Sequence, residues 1–580
     1  MEAETKSSLP QIYLELNIDF FSKIKNIENI LCGSYVFNVQ DNYEFTTLYY
    51  SKNKNKFNIS SHPLSPENLR NINDHFILIL YDKSQKVIHL INDRFASIPL
   101  YYIHKNNTLY LSTIINHLFP YSSKKISNNI ILEFFHYQRL YNNSSLIEDI
   151  KFLEASTILS LDTKENLSIT KYWLPSFRTQ RHHSKDNILD LASILKTIYQ
   201  NFRTNESQNT LLLSGGIDSR CLLPCQNIHS SLTLCSYPEA REVKVARRLA
   251  SLYSIPHHTV VRNDSIYFKQ RKLSSLLGSG ASNIMHAHFF AIPPINTNTT
   301  YIHGHGFDYF FQGMYLPQKK IQVLGRNSLH SIPINIDYHN LADYFAKNIK
   351  FKCKSISISN LINLKSDDYF EIIKSPLKKI ISSYEKLDGA SENTAHLWDY
   401  IIAHNLSRHY TSLNLRSMEN SINSHQLTLS WDNELLDFYF SIPWQEKINA
   451  TLLKKTLLYI NPELGKTTNA NINLPANWSG FLQSSAHFLG LSAIKVGLKN
   501  FGPPPKRDRS WPDMNDILRT NDWSSYLEKT LKNGKWKELD LFNVKKVQTI
   551  INNHLENKGN FYDFIFSLIT LELFLDDLWE

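Results

Sequence analysis

The sequence predicts an α/β protein in two parts: a β-rich first domain, and a larger second domain built on a parallel sheet with helices on its faces. Two observations carry this. Over roughly the first 175 residues, short apolar runs separated by turn residues repeat as strand after strand. From Ile188 onward, helix-spaced apolar positions alternate with short strand-like runs at the spacing of βαβ units.

At 580 residues, 42% hydrophobic and 20% charged, the chain is long enough for two or three domains and too apolar to stay disordered. Its 62 Lys+Arg against 53 Asp+Glu leave a net charge of +9. That excess is small for the length, so it permits an anionic ligand and does not call for nucleic acid. Five cysteines (Cys32, Cys221, Cys225, Cys235, Cys353) are too scattered for a disulfide framework or a zinc site. Cys221 and Cys225 read as helix-buried thiols. The start, MEAETKSSLP, lacks the basic cap and apolar core of a signal peptide. No run approaches the ~20 apolar residues of a membrane span, since FYDFIFSLITLELFLDDLWE is interrupted by Asp563 and Glu572. A reduced, cytoplasmic protein with no membrane partner is expected.

In the first domain IYLELNI, ENILCGSYVF, HFILILYD, KVIHLIND, IPLYYIH, TLYLST, STILSLD and a closing KYW read as strands. Polar links such as Asp82-Lys83-Ser84-Gln85 and Lys105-Asn106-Asn107 join them, and NNIILEFFHYQRLY is a helix candidate. Residues 176–187 (SFRTQRHHSKDN) read as an exposed connection in which His182 and His183 are solvated. This sets domains at 1–178 and 185–580. Beyond the connection, Ile188, Leu191, Ile194, Leu195, Ile198 and Phe202 mark a helix, and NTLLLSGG a strand ending in glycines. A helix (DSRCLLPCQNI), a strand (SLTLCSY), a helix (REVKVARRLASLY) and a strand (HHTVV) follow. Residues from about 320 to 460 read as mainly helical. FGPPPKRDRSWPD can be neither helix nor central strand, and Pro503 to Arg509 reads as a connector.

The chemistry concentrates in Leu211-Leu212-Leu213-Ser214-Gly215-Gly216-Ile217-Asp218-Ser219-Arg220. A buried strand ends, two glycines turn the backbone and a helix begins, so free N–H groups and the hydroxyls of Ser214 and Ser219 converge on one small volume that suits phosphate. The segment lacks the GxxxxGK[ST] form of the usual NTP loop. An acidic residue inside a phosphate cradle needs a cation to shield it, which makes Asp218 a candidate Mg²⁺ ligand.

SGGIDS after an apolar strand resembles the pyrophosphate loop of the adenylating ATP pyrophosphatases, and more narrowly the synthetase domain of asparagine synthetase and its relatives, the β-lactam synthetases and lasso-peptide cyclases. Gly304-His305-Gly306-Phe307-Asp308-Tyr309, continuing to Gly313-Met314-Tyr315, resembles the family's second Gly-x-Gly-x-Asp segment. Upstream, DHFILILYDKSQKVIHLINDRFASIPLYY resembles the core strands of its N-terminal domain, with Asp93-Arg94-Phe95 and Pro99-Leu100-Tyr101-Tyr102 matching best; Asp93-Arg94 itself reads as a structural ion pair at a strand end. The resemblance spans about residues 70 to 480.

It implies a glutamine-amidotransferase-like (Ntn-type) sandwich followed by an adenine-nucleotide α-hydrolase-like (PP-loop) synthetase domain with a large helical part. It implies ATP and Mg²⁺ as cofactors. ATP would be held by Leu212, Leu213, Ser214, Gly215, Gly216, Asp218, Ser219, Glu242, Gly304 and Gly306, and the metal by Asp218 and Asp308. A small-molecule or peptide carboxylate would be adenylated, with AMP and pyrophosphate as products, and ammonia or an amine would take the acyl group. A lysine assists in relatives, and the candidate here is Lys466 in NPELGKTTNANINLP, ahead of Lys454 and Lys455. The family's glutamate is unmatched: depending on register His425 or Asn423 replaces it, with Glu419 nearby, so Glu419 and His425 are the candidate bases.

In asparagine synthetase the first domain's nucleophile is an N-terminal cysteine whose α-amine serves as base. Position 2 here is Glu2, Cys32-Gly33 is internal, and nothing like the glutamine-binding Asn-Gly-Glu precedes residue 93. The resemblance therefore implies a degenerate first domain without glutaminase activity. Asparagine-like amidation, peptide or lactam cyclisation and amidation of a sugar acid stay open within this class. A tRNA-thiolating enzyme and an inactive nucleotide-binding partner are the competing readings.

Overall fold

The computed structural model describes residues 11–580 except 24–28, 33–34, 52–63, 142, 180–184, 203–207, 293–298, 324–325, 350–351, 405–412, 420–423 and 496–510. His182, His183, Asn423 and the Pro503 to Arg509 stretch fall outside the described residues.

The first half is antiparallel. Its strands are β1 (Tyr13–Leu16), β2 (Asn29–Cys32), β3 (Tyr35–Asp41), β4 (Phe45–Ser51), β5 (Phe76–Asp82), β6 (Val87–Asn92), β7 (Tyr101–Lys105), β8 (Thr108–Ser112), β9 (Lys151–Phe152), β10 (Thr157–Leu161) and β11 (Leu167–Lys171). They form a four-stranded sheet, β1-β8-β7-β9, and a seven-stranded sheet, β11-β10-β6-β5-β4-β3-β2. Alternation along β5 explains how these layers pack. Ile77 and Ile79 join Phe37, Leu48 and Leu90 against Leu16, Leu109 and Leu111 of the smaller sheet, closing a two-layer core. Phe76 and Leu78 point the other way, into the core shared with the second half. β4, absent from the strands read in the sequence, lies between β3 and β5.

The second half holds a five-stranded parallel sheet of β12 (Gln208–Leu212), β13 (Ser230–Cys235), β14 (His257–Val261), β15 (Thr299–His303) and β18 (Ser424–Leu427) in the order β14-β13-β12-β15-β18. The helices Asp186–Asn201 and Arg241–Ser251 form as expected. A hairpin, β16 (Gln318–Val323) and β17 (Arg326–Pro333), opens the stretch expected to be mainly helical. From β12 the chain steps outward to β13 and β14, then returns to the other side of β12 as β15. The order therefore reverses between β12 and β15, and the crevice beyond the carboxyl ends of those two strands is where open α/β sheets take ligands.

Among the described residues no strand of one half joins a sheet of the other, yet the cores are continuous. Phe135 of the helix Asn128–Tyr137 packs on Phe564, and Phe119 on Phe574, both of the apolar C-terminal helix Tyr562–Trp579. That helix is buried on nearly every side, and its two buried acids accept main-chain N–H groups. Asp563 accepts the N–H groups of Lys354 and Ser355, and Glu572 those of Lys535 and Trp536. Among the described residues no helix is long and apolar enough to cross a membrane.

Two expectations are corrected here. Asp93 and Arg94 do not pair with each other. The buried Asp93 carboxylate accepts the N–H groups of Phe76, Phe95 and Ser97 and the hydroxyl of Ser97, so its lone pairs staple a turn. Arg94 reaches into the second half, donating Nη1 to both oxygens of Asp437 at 2.9 and 3.0 Å and Nη2 to the Arg70 carbonyl. The start of the expected exposed connection is docked: Phe177 is buried, and its N–H donates to the Asp388 carbonyl.

Candidate active site

The loop after β12 is built by close backbone approach. A Cβ on Gly215 would overlap that of Ala470 and lie 3.4 Å from the Glu242 Cα, so only glycine lets the loop sit against the segment 464–470 and the first turn of the helix Arg241–Ser251. Gly304, at the end of β15, is equally constrained, since a Cβ there would stand 2.5 Å from the Asp218 carbonyl carbon. Gly306 turns the chain at φ +100° beside Ser430, and its N–H donates to Asp308 Oδ1 at 3.2 Å. Leu212 ends β12, and the Leu213 N–H still donates to Leu232 at 2.9 Å.

These constraints bring the two acids together. Asp218 follows β12, Asp308 follows β15, and both are half-buried at the carboxyl edge of neighbouring strands. Burial first, and the charge of Asp308 next, hold the Asp218 carboxyl well above the usual carboxylate range, and Gln312 Nε2 donates to its Oδ1. Two neighbouring carboxylates supply oxygen donors of the kind that suit a hard divalent cation such as Mg²⁺, although Gln312 turns its N–H rather than its carbonyl oxygen toward Asp218.

The loop's own donors are partly spent. Ser214 N–H donates to Ser219 Oγ at 2.9 Å, the two serine hydroxyls meet at 3.0 Å, and Gly216 N–H donates to Ser214 Oγ at 3.1 Å. The hydroxyls thus converge on one another, while the amides of Gly215 and Ile217 have no hydrogen bond among the described residues. The helix expected over DSRCLLPCQNI is corrected to a single 3-10 turn, Ser219–Leu222. Pro224 has no N–H to bond back to the Arg220 carbonyl, and it disfavours a helical Leu223. The dipole of a long helix is therefore not available to this loop.

Arg220, unremarked in the sequence, ties the site together. Its guanidinium is fully buried and spends all five donors on main-chain carbonyls: Nε on Gly216, Nη1 on Leu464 and Thr467, Nη2 on Gly215 and Thr468. It thereby clamps the 464–468 segment to the glycine turn, and the Ala470 N–H adds a bond to the Gly215 carbonyl. Lys466 lies within this clamped segment with its side chain exposed.

Comparison with known proteins bears on the other half. Residues 58–173, which contain β5 to β11, match the family model of a glutamine amidotransferase domain. Among solved structures, the glutamine phosphoribosylpyrophosphate (PRPP) amidotransferase from B. subtilis, complexed with ADP and GMP, is matched at 8% identity over 39% of this chain and 48% of that chain, with a TM-score of 0.14. The match thus spans less than half of that relative's length. No curated protein matches the chain.

The remaining residues singled out in the sequence divide by position. Glu242 is brought to the loop, as described. His425 pairs with Thr300, four residues before Gly304, which places it about 13 Å back along the strands at ~3.3 Å per residue. Glu419 is buried near the same end, where it accepts the Gln426 N–H at 3.4 Å. Neither candidate base shares the edge that carries the two aspartates. Lys454 is half-buried, donates to Gln483 Oε1 at 3.4 Å, and is pushed by burial down to about 8; Lys455 is exposed. Phosphate-loop patterns in a sequence point to glycines and hydroxyls. A buried arginine bonded only to carbonyls has no pattern of its own, and the fixed spacing from Gly216 to Arg220 was its one trace.

Proposed function

We propose that the protein is an ATP-dependent, AMP-forming amide ligase of the asparagine-synthetase type, with residues 185–580 as the synthetase (PP-loop) domain and residues 1–178 as an amidotransferase-like domain without glutaminase activity. The observation that carries this reading is the meeting of Asp218 and Asp308 at the point where the parallel sheet reverses its order.

In this reading the main barrier is electrostatic, because a carboxylate must approach the polyphosphate of ATP. Mg²⁺, held by Asp218 and Asp308, would offset that charge when bound. The unbonded amides of Gly215 and Ile217 receive the departing pyrophosphate, and the glycine turn stays fixed because Arg220 holds its carbonyls. Lys466 supplies a cation at the rim for the step in which ammonia or a substrate amine attacks the activated carboxyl. The first domain is read as non-catalytic because Asp93 is saturated by its own turn, and because the one cysteine in residues 1–178, Cys32, lies inside the β2 ladder opposite Tyr35.

The test is AMP and pyrophosphate release with a panel of carboxylates, with and without ammonia and with glutamine as control. Asp218→Ala and Asp308→Ala should each abolish release, and glutamine should not replace ammonia. Equal turnover by Asp218→Ala would remove the reading.

A further inference from the structure

Gln312 starts from the turn of one aspartate and reaches the other. It follows Asp308 in the chain, beyond the end of β15, yet its Nε2 donates to Oδ1 of Asp218, 94 positions from it and beyond the end of β12. Among the described residues no other side chain donates to the Asp218 carboxyl. The last torsion of an aspartate is broad and roughly two-fold, so a single charge-assisted donor decides which way its two oxygens face. An amide carries N–H and C=O on one fork, and a carboxylate selects the N–H, because two oxygens at that distance repel.

The donor is itself held still. The Gln312 N–H donates to the Phe307 carbonyl at 3.1 Å. Gly313, next in the chain, takes φ +62° with its backbone against Lys447 and Ile448, where a Cβ would stand 2.9 Å from the Ile448 nitrogen. Its carbonyl accepts Gln318 Nε2, and the Tyr315 carbonyl accepts Trp398 Nε1 at 2.6 Å. Phe311 and Gly313 are buried on either side of the half-buried Gln312. A turn pinned at so many points presents its amide from a fixed place.

We propose that Gln312 is a positioning residue for the divalent ion. Its donor fixes the plane of the Asp218 carboxyl and leaves that group's remaining lone pairs to the ion. The inference rests on the reading of Asp218 and Asp308 as the metal's ligands, and adds the group that orients one of them. A partner that touches a ligand without touching the ion supports affinity from outside, typically by about 10–100-fold.

The experiment is calorimetry of the metal-free full chain with Mn²⁺ at neutral pH, without nucleotide or substrate, beside melting curves of the same samples. Gln312→Leu keeps most of the volume and loses the donor. Gln312→Asn keeps an amide but draws it back by one methylene, and serves if the leucine variant does not fold. Each should weaken Mn²⁺ binding about ten-fold or more, with little change in the metal-free melting temperature. A folded variant that binds as tightly as the wild type overturns the proposal, and so does one that binds more tightly, which would make the amide a competitor for the ion's place. A merely structural bond would lower the melting temperature and the fraction of competent protein, leaving the affinity of that fraction unchanged, and this too overturns it. Asp218→Ala and Asp308→Ala keep the two claims apart. If they bind Mn²⁺ undiminished, the metal reading falls and the positioning role with it; if they lose binding while the Gln312 variants do not, the positioning role alone falls.

Discussion

The Arg220 guanidinium donates Nη1 to the Thr467 carbonyl at 2.8 Å, a bond between residues 247 positions apart that sets the glycine turn against the segment carrying Lys466. A lysine at this position has three donors and no planar fork. Arg220→Lys should therefore strand at least two of the five carbonyls at about 1–3 kcal/mol each, for a total loss of about 2–6 kcal/mol in denaturant unfolding. Amide exchange should quicken around residues 214–220 and 464–470 together.

The glycine turn leaves no space for a methyl group. Gly215→Ala should cost about 1–3 kcal/mol by overpacking. Because the obstructing atom is the Ala470 Cβ, the double variant Gly215→Ala with Ala470→Gly should recover most of that loss. A thermal-melting double-mutant cycle reads the coupling, and additive losses would contradict the packing described here.

Asp218→Asn should separate stability from function. The native carboxyl is held high by burial and by Asp308, so its contribution is present at low pH and lost as pH rises through the folded value. The variant should therefore gain stability over the wild type in alkaline buffer, by about 1 kcal/mol, and match it in acid. The same variant should lose divalent-ion binding.

If Asp218 and Asp308 hold the metal as proposed, proton and metal compete for the same pair. Calorimetry with Mn²⁺ should show affinity rising from mildly acidic to mildly alkaline buffer and then levelling, with proton release on binding that shrinks as the pH increases. A flat profile would mean that Asp218 is not a ligand.

Arg94 and Asp437 join the halves unequally. Asp437 is half-exposed, so its contribution is discounted for solvent screening, and Asp437→Ala should cost only about 0.5–1 kcal/mol. Arg94 is buried, also donates to the Arg70 carbonyl, and lies 4.8 Å from the centre of the Trp173 ring. Arg94→Ala should cost about 2–3 kcal/mol. Unfolding curves for the two variants check the order.

Much of this architecture was legible because local signals agreed with the final packing. FILIL and VIHLI became the central antiparallel strands β5 and β6, and HHTVV became β14 residue for residue. The glycine turn and its aspartate could be read because apolar strand, Gly-Gly and acid stand next to one another. What could not be read depended on distant partners. The chain after the glycine turn carries an apolar helical pattern, but Pro224 stops it after one 3-10 turn. His425 and Glu419 stood near the right place in sequence, and only the parallel register with Thr300 shows them to be at the far end of the sheet. Phe177 looked like linker because its neighbours are polar, although Asp388, more than 200 residues later, receives its amide.

The apolar C-terminal helix has a consequence for how the chain can be handled. With Phe564 and Phe574 seated on aromatic rings from the first half, a break between residues 178 and 185 would not release two interchangeable modules. Each fragment would bare an oily face shaped by the other, so co-expressed pieces should purify as one particle, and either piece made alone should precipitate. Grafting a foreign amidotransferase onto this scaffold would accordingly require redesigning the seat beneath it as well as the joint.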